Sequence, residues 1–252
     1  MRRARGARRP HRSQHFLRSK ALAAELVRLA GVAGGDLVVE IGAGDGIITA
    51  ELARRAGYVV AFEVDPVLVR RLRQRFGPGS AALVVEGDAF RQPLPRLPFR
   101  VVSNVPFDST TRLLRSLLDD PRSRLEQAAL IVQWEVARKR SRERPSTLLG
   151  LSWAPWWMLD LVRKIPAAAF RPPPSVDAGV LTVVRRTSPM LPSSDAGSFR
   201  RLLRKSFSLG PRHSISPLEL RRLGLARDAA ARDLGVEEWV AIFRFLRERG
   251  RL

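Results

Sequence analysis

Two short stretches carry residues whose types and spacing could do chemistry. Residues 38–46, Val-Val-Glu-Ile-Gly-Ala-Gly-Asp-Gly, run an apolar strand straight into a glycine-rich turn, with helix-like Ile47 to Ala56 behind it. Gly42, Gly44 and Gly46 have no Cβ, so backbone there can come close to a ligand. An acid, Glu40, stands two residues before the first glycine. The spacing is G-x-G-x-G, whereas the dinucleotide fingerprint places its third glycine one residue later. The stretch reads as a cradle for a nucleotide-shaped cofactor, the alternative being a plain turn between strand and helix. The second stretch is Asn104-Val105-Pro106-Phe107. The exocyclic amine of a nucleobase is a poor nucleophile because its lone pair is delocalised into the ring. If the Asn104 side-chain oxygen and a backbone carbonyl, that of Val105, accept its hydrogens, the nitrogen can pyramidalise and aim its lone pair at an electrophile. Pro106 stiffens the turn and biases Val105 toward an extended conformation. Phe107 offers a face on which a flipped base can stack. The bland reading is a strand-to-helix turn, with Asp108 or Ser109 capping a helix from Thr110 to Leu118.

These residues need elements to hold them. Tyr58 to Val64 reads as a second buried parallel strand ending at Glu63, 21 residues beyond Gly42. An acid there can accept both ribose hydroxyls of a nucleoside. It could instead cap the helix that begins near Pro66; we assign Glu63 to the ribose and Asp65 to the cap. Residues 67–76 form that helix, and Ala82 to Val85 a third strand leading to Glu86-Gly87-Asp88-Ala89-Phe90. Asp88 at the strand's C-terminal end could accept from an adenine amino group, or be a solvated turn aspartate. Arg100 to Ser103 is the fourth strand, which delivers Asn104. Residues 125–137 include a fifth, and residues 161–186 place a proline-rich loop between the last two. Trp153, Trp156 and Trp157 read mainly as core. Residues 187–197, rich in Ser and Pro, read as a linker. Beyond it Phe199 to Phe207 and Val236 to Leu246 have helical spacing.

The 252 residues carry 45 Lys plus Arg against 24 Asp plus Glu, a net charge of +21, so a polyanion is the expected partner. The excess is uneven: +8 in residues 1–20, only +1 in 21–100, +6 in 101–187 and +6 in 188–252. Residues 1–13 are Arg-rich without apolar periodicity and are expected to be a disordered tail, either solvated or a phosphate-binding arm. Arg138, Lys139 and Arg140 open a basic run to Arg144 that is either a solvated helix end or a phosphate contact. Arg200, Arg201 and Arg204, with Lys205, make the last segment basic; they either dock RNA or keep a helical cap soluble. The absence of cysteine excludes disulfides and thiolate metal sites. No apolar run approaches 20 residues and no signal peptide is seen, so a cytoplasmic monomer without metal is expected.

Read together, these stretches resemble the ribosomal RNA adenine-N6 methyltransferases, and more particularly their erythromycin-resistance (Erm) branch. The resemblance runs from Ser13 to about Arg186. Ser13-Gln14-His15-Phe16-Leu17 is similar to the family's S/G-Q-N-F-L motif, EIGAGDG to its cofactor loop, FEVD to its ribose acid and EGDAF to its adenine acid. NVPF is similar to its catalytic turn, and Phe170 in FRPPPSVD to an aromatic placed beside the target base. The resemblance implies an α/β, Rossmann-like class I S-adenosylmethionine (SAM)-dependent methyltransferase fold with a mostly parallel sheet over residues 14–187. A small helical RNA-docking domain would follow over 188–252. It implies that Gln14, His15, Leu17, Glu40, Gly42, Gly44, Glu63, Asp88, Ala89 and Asn104 bind SAM. Asn104, Val105, Pro106, Phe107 and Phe170 would serve the chemistry, and the implied substrate is an adenine of 23S rRNA, with macrolide-type resistance as the outcome. His15 departs from the pattern, which has asparagine; it can still donate one hydrogen bond, and the contact becomes sensitive to pH. Phe107, where tyrosine is the other option, leans toward the Erm branch and away from the small-subunit dimethylases. Small-subunit dimethylation and a non-catalytic nucleic-acid-binding factor are the rival expectations.

Overall fold

The computed structural model describes residues 14–141 and 147–252. The expected tail, with Ser13, and the end of the basic run at Arg142 and Arg144 lie outside the described residues. In chain order the elements are β1 (Phe16–Leu17), α1 (Lys20–Leu29), β2 (Leu37–Ile41), α2 (Ile47–Ala53), β3 (Tyr58–Glu63), α3 (Pro66–Arg75), β4 (Ala82–Glu86) and β5 (Phe99–Asn104). They continue with α4 (Thr110–Leu118), β6 (Leu125–Gln133), α5 (Trp134–Arg140), α6 (Leu148–Trp153), β7 (Trp157–Ile165), β8 (Phe170–Arg171) and β9 (Ala178–Arg185). Helices α7 (Ala196–Leu209), α8 (Pro217–Arg222) and α9 (Val236–Glu248) complete the chain.

Among the described residues the main sheet has seven strands in the order β4-β3-β2-β5-β6-β9-β7. Each pair from β4 to β6 is parallel, and β9 runs antiparallel between β6 and β7. The expected mostly parallel sheet is therefore present. Its central strands are covered by helices, and β2 and β6 accordingly read as near-continuous apolar runs. Local signals set the helix starts. Ser19 caps α1 by accepting from Leu22 N at 3.2 Å, and Asp65 caps α3 by accepting from Val67 N at 2.8 Å with Pro66 at the first position. Ser109, at the N-cap of α4, makes no side-chain capping bond: its Oγ donates to Asp108 Oδ1 at 2.9 Å, and the chain enters α4 through a 3-10 turn at Phe107–Ser109.

The last helices do not stand apart. Phe199 packs edge-on against Trp156, centroids 6.1 Å apart, and against Phe243, 5.5 Å apart. One apolar cluster runs from Val39 and Val101 in the sheet through Trp153, Trp156 and Trp157 to Trp239 and Phe243 in α9. The three clustered tryptophans are buried, as their reading as core requires. Among the described residues no helix is long and apolar enough to cross a membrane.

Candidate active site

The chain leaves β2 toward β3 and β4 on one side and then crosses to β5 on the other. The carboxyl ends of β2 and β5 therefore flank the crevice where such sheets bind ligands. This crossing brings the two chemically promising stretches together. A Cβ built on Gly42 would lie 3.8 Å from Pro106 Cδ. Ser103, buried one residue before Asn104, donates through Oγ to the Ile41 carbonyl at 2.5 Å and ties the end of β5 to the start of the glycine loop. A small polar residue directly behind the apolar pair Val101-Val102 is its only sequence signal.

The loop itself is pinned by neighbours close in sequence. Gly42 N and Ala43 N both donate to the Phe62 carbonyl at 2.9 Å, and Gly44 N donates to Glu63 Oε2 at 2.9 Å. Gly42 and Gly44 have φ of +77° and +59°, which disfavours any side chain there. A Cβ on Gly44 would also meet the Phe16 ring at 3.1 Å.

The acids are more engaged than their spacing indicates. Glu63, 3% exposed, accepts from Val64 N at 2.8 Å and Asp65 N at 2.9 Å through Oε1 while Oε2 holds Gly44. Asp88 sits at the end of β4; its Oδ1 accepts from Phe90 N at 2.9 Å. Its Oδ2 lies 3.3 Å from Arg112, whose guanidinium covers the Phe90 ring. Ala89 opens the short turn that follows. Glu40 is the most buried of these acids. It is 1% exposed beneath the loop and accepts a 2.6 Å hydrogen bond from Thr49 Oγ1, so it supports the cradle rather than lining it. Burial, with smaller contributions from Glu63 and Asp45, pushes its carboxyl up to about 8.

The turn from Asn104 to Phe107 is held from far away. Asn104 Nδ2 donates to the His15 carbonyl at 2.7 Å, 89 residues distant in sequence. Val105 is buried and donates from its amide to the Ile131 carbonyl at 3.0 Å. Phe107 is half-buried with its ring centroid 5.8 Å from that of His15. His15 Nδ1 is 2.8 Å from the Pro172 carbonyl, and Gln14, half-buried, precedes it. Two of the expected site residues turn their side chains inward here. The Leu17 side chain is 2% exposed and packs into the core, so no side-chain contact with a cofactor is open to it. Phe170, opposite Leu17 in the β1–β8 pair, is 1% exposed in the same cluster. Its ring faces the core rather than a base site, because the short β1–β8 ladder turns both side chains inward.

The basic residues divide as well. Arg200 is not a free cation: it donates to the Asp119 carbonyl and lies 3.8 Å from the Asp119 carboxylate, clamping α7 to the end of α4. Arg140 turns inward over Trp153 and donates to Thr147 at 3.2 Å, and Arg138 pairs with Glu135 at 2.9 Å, which leaves Lys139 exposed. Arg201 and Arg204 are exposed, and Arg201 borders a cleft of about 280 Å³ with Lys205, His213 and Arg251. Among the described residues no group of three or more His, Asp or Glu could hold a metal ion.

A nucleoside cofactor suits this set. The Cβ-free positions at Gly42 and Gly44 face Pro106 and Phe16, and two carboxylates stand at the ends of β3 and β4. Comparison with known proteins gives the same direction. Residues 7–233 match the ribosomal RNA adenine dimethylase family. The chain is 36% identical over 249 residues to the mycinamicin-resistance protein MyrB of Micromonospora griseorubida, covering 94% of this chain and 78% of that protein. It is 33% identical over 259 residues to ribosomal RNA small subunit methyltransferase A of a Synechococcus strain, covering 94% and 92%. The crystal structure of the 23S rRNA methyltransferase ErmE superposes with a TM-score of 0.80 at 27% identity, covering 92% of this chain and 99% of that one. The chain thus belongs to the ribosomal RNA adenine dimethylase family and is a SAM-dependent rRNA adenine-N6 methyltransferase.

Proposed function

We propose that the protein methylates N6 of one specific adenine in large-subunit (23S) rRNA and thereby confers resistance to macrolide, lincosamide and streptogramin B antibiotics. The observation that carries the large-subunit target is the 0.80 TM-score to the 23S enzyme ErmE across 92% of the chain. Likeness to MyrB, a resistance protein, and Phe107 in the NVPF turn support it.

Bound SAM supplies a methyl group on a sulfonium as the electrophile. Glu63 would accept the ribose hydroxyls through Oε2, whose second lone pair is left open beside the Gly44 amide. Asp88 and Ala89 would receive the adenine end, and Gln14 would border the methionine end. Asn104 orients the target amine. A carbonyl can only accept, so the amide shows nitrogen to the His15 carbonyl and leaves Oδ1 to accept one N6 hydrogen. The Val105 carbonyl accepts the other. The two acceptors favour a pyramidal nitrogen whose lone pair is exposed, and no side chain has to remove a proton before transfer. Positioning and oriented acceptors carry the rate. Phe107 offers the stacking face for the flipped adenine. Lys139, Arg201 and Arg204 contact phosphates, with the Arg201 cleft on the helical region contributing to docking. The catalytic unit is residues 14–187 and the docking unit 188–252.

A small-subunit target is the second reading, favoured by the 33% identity over nearly the whole of a small-subunit enzyme. Expression in a macrolide-sensitive bacterium, with adenine methylation mapped by primer-extension stops and mass spectrometry, separates them. A single large-subunit adenine modified together with raised macrolide tolerance is expected; modification confined to small-subunit rRNA would move the protein to the second reading.

A further inference from the structure

The contact that orients Asn104 comes from a residue that the backbone ladder does not hold. Strand β1 pairs with β8 in the register Phe16 opposite Arg171 and Leu17 opposite Phe170. The same register sets Arg18 opposite Ala169, and Arg18 N donates to the Ala169 carbonyl at 3.0 Å. Antiparallel pairs alternate between bonded and non-bonded, so Phe16 opposite Arg171 is the next bonded pair and His15 falls opposite Pro172 in a non-bonded one. At such a position the carbonyl points away from the neighbouring strand. That of His15 points to Asn104 and accepts from Nδ2 at 2.7 Å. The ladder thus leaves His15 free of backbone bonds to β8, and its side chain takes over. The imidazole Nδ1 lies 2.8 Å from the Pro172 carbonyl; since that oxygen can only accept, Nδ1 carries the hydrogen. The same ring rests against Phe107 at 5.8 Å.

We infer that His15 is a positioning residue for methyl transfer. Its side chain anchors the residue to Pro172, its carbonyl then fixes the Asn104 amide with Oδ1 toward the target amine, and its ring braces Phe107. This differs from a contact to the methionine end of the cofactor, the role that resemblance implies for this position. The inference rests on the reading of Asn104 and Phe107 as the groups that hold the target adenine.

The test is single-turnover transfer of labelled methyl to rRNA by the full chain, with SAM affinity measured separately by calorimetry, for wild type, His15→Ala, His15→Phe and His15→Asn. His15→Ala loses donor and ring; His15→Phe keeps a ring without a donor and serves where the alanine variant melts below assay temperature. His15→Asn retains a donor for Pro172. The expected result is a rate about tenfold or more lower for Ala and Phe, since displacement of a reacting group by a fraction of an ångström to about 1 Å costs up to about 10²-fold. SAM affinity stays within about twofold, and Asn recovers most of the rate. A full rate in His15→Phe, an Asn variant no better than Phe, or SAM affinity falling in step with the rate would each overturn the assignment. Failure of the underlying reading shows instead in an Asn104→Ala arm, as transfer at the wild-type rate.

Discussion

The two loops that meet at the crevice are held in opposite ways. The glycine loop is fixed by what lies beside it: Phe62 and Glu63 on the next strand accept from Gly42, Ala43 and Gly44. The turn at Asn104, the proposed catalytic one, is fixed by residues remote in the chain, through His15 on Asn104 and Pro172 on His15, 157 residues from it. A cofactor cradle can therefore form as soon as two adjacent parallel strands pair. The orientation of Asn104 waits for both ends of the catalytic region to come together. Substrate binding and catalysis should accordingly be separable by mutation, with cradle variants changing SAM affinity and turn variants changing rate.

The largest effect outside the turn is expected at the cradle. Glu63→Gln replaces an acceptor-only group with one that turns an amine toward Gly44 N or toward the ribose. Hydrogen bonds to a charged group are worth about 1.5–3 kcal/mol, so SAM affinity measured by calorimetry should fall on the order of a hundredfold. Unchanged SAM affinity would remove Glu63 from the ribose. Phe107→Ala comes next. Base–aromatic stacking is worth about 1–3 kcal/mol, so kcat/KM for rRNA should drop roughly tenfold or more with SAM binding intact; equal loss of both would make Phe107 a structural brace and blur the separation of the loops.

Smaller effects probe the supports. The Glu40 carboxyl is raised to about 8 from an ordinary 4.5 by burial. The folded state thus binds this proton more tightly than the unfolded chain. Its contribution to stability is complete below about pH 4.5, declines as pH rises and is gone above about pH 8. Glu40→Gln keeps an acceptor for Thr49 without the charge. Its melting temperature should exceed that of wild type by about 2–4 °C for each kcal/mol recovered at pH 8.5, with little difference at pH 5. The reverse order would show Glu40 ionised in the fold. The smallest change is expected in the helical region. Arg204→Ala should weaken RNA binding and shallow its dependence on log salt by about 0.7–0.9, whereas Arg200→Ala should lower the melting temperature and leave that slope alone, because Arg200 is spent on Asp119.

What could be read from the sequence follows the same division. The strands, the Asp65 cap and the crevice residues Gly42, Gly44, Glu63 and Asn104 announce themselves through composition and spacing within a few dozen residues. Phe170, Leu17 and Glu40 sit within recognisable motifs, yet the sequence does not say which way a side chain faces at a short ladder or under a loop. Arg200 and Arg201 are adjacent and alike in type, and only the packing of α7 onto Asp119 distinguishes clamp from free cation. The bond from Asn104 to a main-chain carbonyl carries no residue-type signal at all.

Methyl transfer in this proposal depends on the turn beginning at Asn104 presenting an acceptor to adenine N6. The most direct test of that dependence uses purified wild type and Asn104→Ala, with methyl-labelled SAM and protein-free 23S and 16S rRNA, followed by digestion to nucleosides and a parallel measurement of SAM affinity. Wild type should place label in N6-methylated adenosine from 23S rRNA. Asn104→Ala should transfer at a rate lower by about 10²–10³-fold, the usual loss when an oriented polar group is removed, at nearly unchanged SAM affinity. Label on another atom or base, or full-rate transfer by Asn104→Ala, would contradict the proposal.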